Sequence, residues 1–168
     1  MPRAFLGFAV ALGILLLGTL LLGLFASTLG SSRHIALAVL TILLSCLIQV
    51  ISFTYLTITF KLLAQAVHLR HMPQENLEPA RILKRRLTAR LGVVVLSILP
   101  TVATGAINWR GDSYANIHLI LGFVTISAHF WALAGQYSII CENSTLVADL
   151  LRRYGAGRQS TKPRFESA

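Results

Sequence analysis

The chain has 168 residues, of which 55% are hydrophobic and only 12% are charged, with a formal net charge of +9. The hydrophobic fraction exceeds what a soluble domain of this length buries, so the composition indicates an integral membrane protein built as one bundle of helices. All fifteen Lys and Arg residues except Arg33 and Arg110 lie at the N-terminus, between residues 61 and 90, or after residue 150. This positive-inside pattern favours anionic lipid headgroups, and no nucleic acid, as partners of the charge.

The first predicted crossing spans residues 4–26, an uninterrupted apolar run that follows Arg3. The apolar region of a signal peptide is about 7–15 residues long, so we expect this longer run to be a retained helix. Gly7, Ala11 and Gly18 share a face of small residues that would suit close helix packing.

The second predicted crossing spans residues 33–60 and follows a turn at residues 30–32, where a serine is the expected helix cap. The helix should continue into an amphipathic stretch that can lie along the headgroups. The sequence "MPQENLEP" then breaks it, and Pro79 suits the first position of the third helix. Residues 61–90 are therefore interpreted as a cytoplasmic extension.

The third predicted crossing spans residues 91–108, with an expected kink at Pro100. A short outer turn, with Asp112 or Ser113 as cap, leads into the fourth crossing at residues 114–140. The basic tail at residues 155–168 has the composition of a disordered cytoplasmic segment. The predicted architecture is an all-α, antiparallel, integral membrane four-helix bundle over residues 1–154, with both termini in the cytoplasm.

Polar side chains recur on one face of three of the crossings when the residues are placed at 100° intervals. The other faces are mostly Leu, Ile, Val and Phe, so the polar faces should point into the bundle. Serine and threonine in membrane helices often bond to their own backbone, so these faces could be nothing more than packing interfaces. The polar residues are His34, Thr41, Ser45, Ser52 and Thr59 with Gln49 nearby on helix two, Ser97, Thr101, Thr104 and Asn108 on helix three, and His118, Thr125, His129 and Gln136 on helix four.

Two of the histidines should lie at the same depth near the outer membrane face. His34 is close to the start of helix two and His118 is close to the start of helix four, and these helices are diagonal neighbours in a bundle threaded in order. Two opposed imidazoles are the axial ligands that a six-coordinate haem b needs. Arg33 and Arg110 would lie at the rim to neutralise the propionates, and Gly122 would let a flat macrocycle approach the backbone. The alternatives without a cofactor are a solvent-exposed His34 and a His118 hydrogen-bonded to a neighbouring carbonyl.

His129 lies deeper than His118, at about the depth of Gln49 and Ser97. We expect a hydrogen bond between His129 and Gln49 that satisfies both groups without a cofactor. No second histidine or methionine occurs at that depth on helix two or three, so a second six-coordinate haem is not expected, although a five-coordinate site or a proton step at His129 stays open. Gln136 completes this set of buried polar residues.

The remaining motifs restrict the chemistry. His68 and His71 point away from the polar face of helix two and are interpreted as interfacial residues, and Cys46 and Cys141 as small buried hydrophobes. The acidic residues all lie outside the crossings, which argues against a carboxylate-driven ion pump. We found no phosphate-binding loop, no Ser/His/Asp set and no zinc-protease motif, so we expect no enzymatic activity of the chain on its own.

Three functions are compatible with these features. The first is a membrane subunit that binds haem and passes electrons, with His34 and His118 as ligands. The second is a structural or assembly subunit of a larger membrane complex or homo-oligomer, without a cofactor. The third is a proton or small-solute pathway along the polar face of helix four. The layout resembles that of membrane cytochromes of the b type, although the spacing of His118 and His129 does not match a helix that serves two haems.

Overall fold

The computed structural model describes residues 1–25, 31–69, 73–106 and 112–155, and all side chains in them except those of residues 106, 112–114, 154 and 155. The chain forms helix α1 (Pro2–Leu24), helix α2 (Ser31–Leu69), a short 3-10 helix (Gln74–Leu77), helix α3 (Glu78–Ala106) and helix α4 (Asp112–Gly155). No β-strand occurs within these ranges. The all-α prediction is confirmed, and all four long helices are apolar enough to cross a membrane.

The helix boundaries differ from the predicted ones in three places. Ser31 and Ser32 lie inside α2, so neither serves as a cap before the helix. Helix α3 begins at Glu78, so Pro79 is its second residue and not, as predicted, its first. Helix α4 continues past the expected end of the fourth crossing to Gly155, with Arg152 and Arg153 in its last turn, where basic residues suit the helix dipole. The predicted positions of Gly30, His71, Asn108, Arg110 and the tail after residue 155 lie outside the described residues.

Consecutive helices pack side by side, α1 on α2, α2 on α3, α3 on α4 and α4 on α1, while α2 and α4 meet across the centre. Two contacts between threonines show the directions of the helices. The hydroxyl of Thr19, late in α1, lies 2.8 Å from that of Thr41, early in α2, and the hydroxyl of Thr101, late in α3, lies 2.7 Å from that of Thr125 in α4. Neighbouring helices therefore run in opposite directions, and the central pair α2 and α4 run in the same direction.

Apolar side chains fill the bundle in three successive clusters. The first joins α1, α2 and α4, the second joins α2, α3 and α4, and the third lies where the 3-10 helix packs against α2 and α3. We call the end that carries Lys61, Lys84 and Arg86 the basic end, and the end that carries His34 and His118 the histidine end. The clusters cover the middle and the basic end of the bundle. Their largest fully buried members are Leu12, Ile48, Leu56, Leu87 and Ile140.

Large apolar side chains also cover the outside of the bundle. Helix α1 exposes Leu6, Val10, Ile14 and Leu21, of which Ile14 is 66% exposed. Cys46, expected to be buried, is also on this outward surface, whereas Cys141 is half-buried. Large apolar side chains are thus exposed on all four long helices, beside exposed basic residues such as Arg85 and Arg86 at the basic end.

The small face predicted on α1 does not form a packing contact along its whole length. A Cβ placed on Gly7 would meet no atom within 4 Å, and Ala11 is exposed. Contacts are made instead at Gly13, where a Cβ would lie 3.3 Å from the Phe130 ring, and at Gly18, where it would lie 3.3 Å from Leu37. Helical periodicity alone placed Gly7 and Gly18 on one face, but the face that α1 buries passes through Phe5, Leu12, Gly13 and Leu16.

Replacing Gly13 by leucine should overpack the contact between α1 and α4 and lower the free energy of unfolding by about 1–3 kcal/mol. Gly7→Leu is the matched control, since it adds the same side chain to the same helix in open space. Unfolding of both variants in detergent or bicelles measures the difference. Equal losses for the two variants would contradict the observed packing of α1.

Candidate functional site

His34 is held between α2 and α1. Its Nδ1 lies 3.1 Å from the carbonyl oxygen of Thr19, and its ring rests against Gly23, where a Cβ would lie 3.0 Å from Cε1. A carbonyl oxygen only accepts hydrogen bonds, so Nδ1 must carry the proton. In the neutral ring, Nε2 is therefore left with its lone pair.

His118 is held in the same way between α4 and α3. Its Nδ1 lies 3.1 Å from the hydroxyl oxygen of Thr104, which is also within hydrogen-bonding distance of the carbonyl oxygens of Pro100 and Thr101. If the hydroxyl gives its single proton to one of these carbonyls, Nδ1 of His118 is the donor and Nε2 carries the lone pair; if it donates to Nδ1, the proton of the neutral ring is on Nε2. The ring rests against Gly105, where a Cβ would lie 2.8 Å from Cε1.

The structure brings these two rings together at the histidine end. Their centroids are 6.2 Å apart and their planes are nearly perpendicular, at 87°. Two imidazoles that both present a lone pair at Nε2 cannot hydrogen-bond to each other through those atoms. In that pair of tautomers, both lone pairs are open to a third group such as a metal centre, a water molecule or a proton.

The number of ligands restricts which metal centre this can be. Among the described residues, no group of three or more His, Cys, Asp or Glu side chains could hold a metal ion. A structural zinc ion takes four protein ligands, whereas a haem iron brings its own macrocycle and needs only axial ligands. Two histidines with ring centroids 6.2 Å apart are the kind of pair that could supply such axial ligands.

The other residues predicted around this site are less closely placed. Arg33 is exposed next to His34, and Arg110 lies outside the described residues. Gly122 is half-buried one helical turn from His118, and a Cβ there would meet no atom within 4 Å. No other helix therefore packs closely against Gly122. His68 is exposed in α2, away from the site.

The prediction that His129 bonds to Gln49 is wrong. His129 is fully buried, and its Nε2 lies 2.9 Å from the Ser45 hydroxyl while its Nδ1 lies 2.8 Å from the Thr125 carbonyl oxygen. By the same tautomer argument, Ser45 donates and Nε2 accepts. Both ring nitrogens are used, so His129 joins α2 to α4 and has no free nitrogen for a ligand. Ser45 lies one turn before Gln49 on the same face, which is why depth alone did not distinguish the two.

Gln49 bonds instead to Gln136, whose amide nitrogen lies 2.6 Å from the Gln49 side-chain oxygen. Both residues are buried, and within the described part of the chain Nε2 of Gln49 and Oε1 of Gln136 have no hydrogen-bond partner, like Nδ2 of the buried Asn143. Ser97 is half-buried and does not contact His129: its carbonyl accepts the Thr125 hydroxyl at 2.7 Å, which links α3 to α4.

Sequence reasoning missed four residues that position the two histidines: Thr19 and Gly23 on α1, and Thr104 and Gly105 on α3. Thr104 was placed on a polar face, but its partner was not identified. The available signal was a polar residue followed by a glycine at the depth of each histidine on the neighbouring helix.

No family model, curated protein or solved structure matches the chain.

Replacing Ser45 by alanine should leave Nε2 of the buried His129 without a donor and lower the free energy of unfolding by about 1 kcal/mol. Ser52→Ala is the matched control, because the buried Ser52 hydroxyl donates only to a carbonyl of its own helix, that of Ile48. A double variant, Ser45→Ala with His129→Leu, should recover most of the loss in an unfolding experiment. A Gln49→Leu variant that perturbs the His129 ring resonances more than Ser45→Ala does would show that the assigned partner is wrong.

Proposed function

We propose that the chain is an integral membrane protein that binds one b-type haem between His34 and His118 and passes electrons near the outer face. One observation carries this proposal: the ring centroids of two histidines from diagonal helices lie 6.2 Å apart, and each Nδ1 is hydrogen-bonded to a neighbouring helix, so that each Nε2 is the nitrogen left for a ligand. Metal-bound histidines almost always donate their other ring N–H to a fixed acceptor, because that bond sets the tautomer and makes the ligand more basic.

Location in the membrane is supported by the surface of the helices. Their outward side chains are large and apolar along the full length of α1 and the first part of α2. Lys61, Lys84, Arg85 and Arg86 lie together at the basic end, which we assign to the cytoplasm by the positive-inside rule. This orientation puts both chain termini in the cytoplasm and the two histidines near the opposite face.

The chain's own residues would position the ligands and supply the surroundings. Thr19 and Thr104 orient the rings, and Gly23 and Gly105 leave room for them. A haem held by His34 and His118 would supply reversible one-electron chemistry. Arg33, exposed at the same end, is placed to balance the charge of propionates that reach water. Electrons need a donor and an acceptor, so we propose other membrane subunits or a second copy of the chain as partners.

A purely structural role is the second candidate, supported by the threonine and serine hydroxyls. Ser52, Thr59 and Ser97 donate to carbonyls of their own helices, as expected of residues that only help helices to pack. This role needs neither a haem nor the free Nε2 atoms of the two histidines. The spectrum of the purified protein separates the two candidates.

Purified protein should show the Soret band and the sharp visible bands of a low-spin haem. His34→Ala and His118→Ala should each remove at least about tenfold of the bound haem, since the loss of one axial ligand leaves a single weak attachment. His68→Ala, which changes an exposed histidine of the same helix, should keep it. Full haem content in either site variant, or none in the unmodified protein prepared with haem available, would contradict the proposal.

The orientation can be tested separately with reporter fusions. A reporter fused after Ala168 and one inserted beside Asn76 should both be active on the cytoplasmic side, and one inserted at residues 110–113 should be active outside. Activity of the C-terminal fusion on the outside would contradict this orientation, because the histidine pair would then lie at the cytoplasmic face.

A further inference from the structure

Arg90 occupies a built position in the groove between α3 and α4. Its Nη1 donates to the carbonyl oxygen of Trp131 at 3.2 Å, and its guanidinium carbon lies 4.7 Å from the centre of the Trp131 ring. A Cβ on Gly135 would overlap Nη1 directly, so the absence of a side chain at Gly135 makes the space that the guanidinium fills. Three contacts thus hold the charged group in one place.

This guanidinium has no acidic partner among the described residues. The two ion pairs found there are Arg81–Glu78 at 2.6 Å and Arg86–Glu142 at 3.8 Å. Glu142 also accepts a hydrogen bond from Ser138. Guanidinium has five N–H donors, and the Trp131 carbonyl uses one of them. The remaining donors and a full positive charge are left for a group outside the chain.

The depth of Arg90 indicates what that group is. The stretch of α3 from Leu91 to Ala106 carries no charged residue. At 1.5 Å per residue it is about 24 Å long, somewhat shorter than the hydrocarbon core of about 30 Å. Arg90 therefore lies at the cytoplasmic edge of the hydrocarbon, where lipid phosphates are within reach of a guanidinium. Trp131, 54% exposed, is the aromatic residue that typically marks this level.

We propose that Arg90, Trp131 and Gly135 form a binding site for the phosphate of an anionic phospholipid. Arginine is suited to this role because its planar fork can donate two parallel hydrogen bonds to phosphate oxygens. The site rests on the proposed location in the membrane, but not on the haem, since it lies towards the basic end of the bundle.

The test is a titration of detergent-purified protein with phosphatidylglycerol, followed by native mass spectrometry. Arg90→Gln removes the charge, and Gly135→Ala keeps it but displaces the guanidinium. Each should weaken lipid binding by about tenfold, the effect of losing a charge-assisted hydrogen bond. Arg85→Gln is the control, because Arg85 is an exposed residue of the same helix, and it should change binding by less than about twofold.

Equal weakening by Arg85→Gln, or unchanged binding in Arg90→Gln and Gly135→Ala, would overturn the site. Displacement of the lipid by excess inorganic phosphate would overturn the lipid assignment, because the site would then recognise phosphate alone. All three variants should retain the haem content of the unmodified protein, so a failure here is distinguishable from a failure of the haem proposal.

Discussion

The hydrogen bond from Nδ1 of His34 to the Thr19 carbonyl oxygen, with its counterpart from His118 to Thr104, determines what the histidine end can do. The bond of His34 fixes its tautomer, because a carbonyl oxygen has no proton to give, whereas the Thr104 hydroxyl can accept from or donate to His118. If either ring were reversed, one Nε2–H could donate to the other ring, and the pair would satisfy itself. With both rings protonated at Nδ1, both Nε2 lone pairs are open, and the pair can accept an electrophilic partner. Helices α1 and α3, which carry neither histidine, thereby decide the chemistry of the two that do.

The central pair of helices extends this arrangement along the bundle. Since α2 and α4 run in the same direction, residues at equal depth meet in order: His34 with His118, Ser45 with His129, and Gln49 with Gln136. A buried polar group without a partner costs about 1–3 kcal/mol, so each pair also limits sliding of one helix along the other. The lower two pairs thus keep the first in register. The same up-and-down order brings Arg90 of α3 beside Trp131 of α4 at the other end.

The sequence was sufficient for the four helices, their order and the meeting of His34 with His118. Apolar length predicts the helices, and the direction of each helix sets the depth of a residue to within about one turn. One turn is also the limit of that reasoning. Ser45 and Gln49 are separated by a single turn on one face, and only the packed structure shows that His129 reaches Ser45. The packing face of α1 was mistaken at Gly7 for a related reason: in a membrane helix both faces are apolar, so periodicity does not distinguish lipid from protein.

The central claim is that His34 and His118 together ligate one iron, and the electron paramagnetic resonance spectrum of the ferric protein tests it most directly. Two imidazole ligands would make a bound iron low-spin. If the ring planes kept their angle of 87°, its two π-bonding d orbitals would be nearly equal in energy, so we expect a strongly anisotropic low-spin signal that is lost in His34→Ala and in His118→Ala. A high-spin signal from the unmodified protein, or a low-spin signal that survives either substitution, would contradict it.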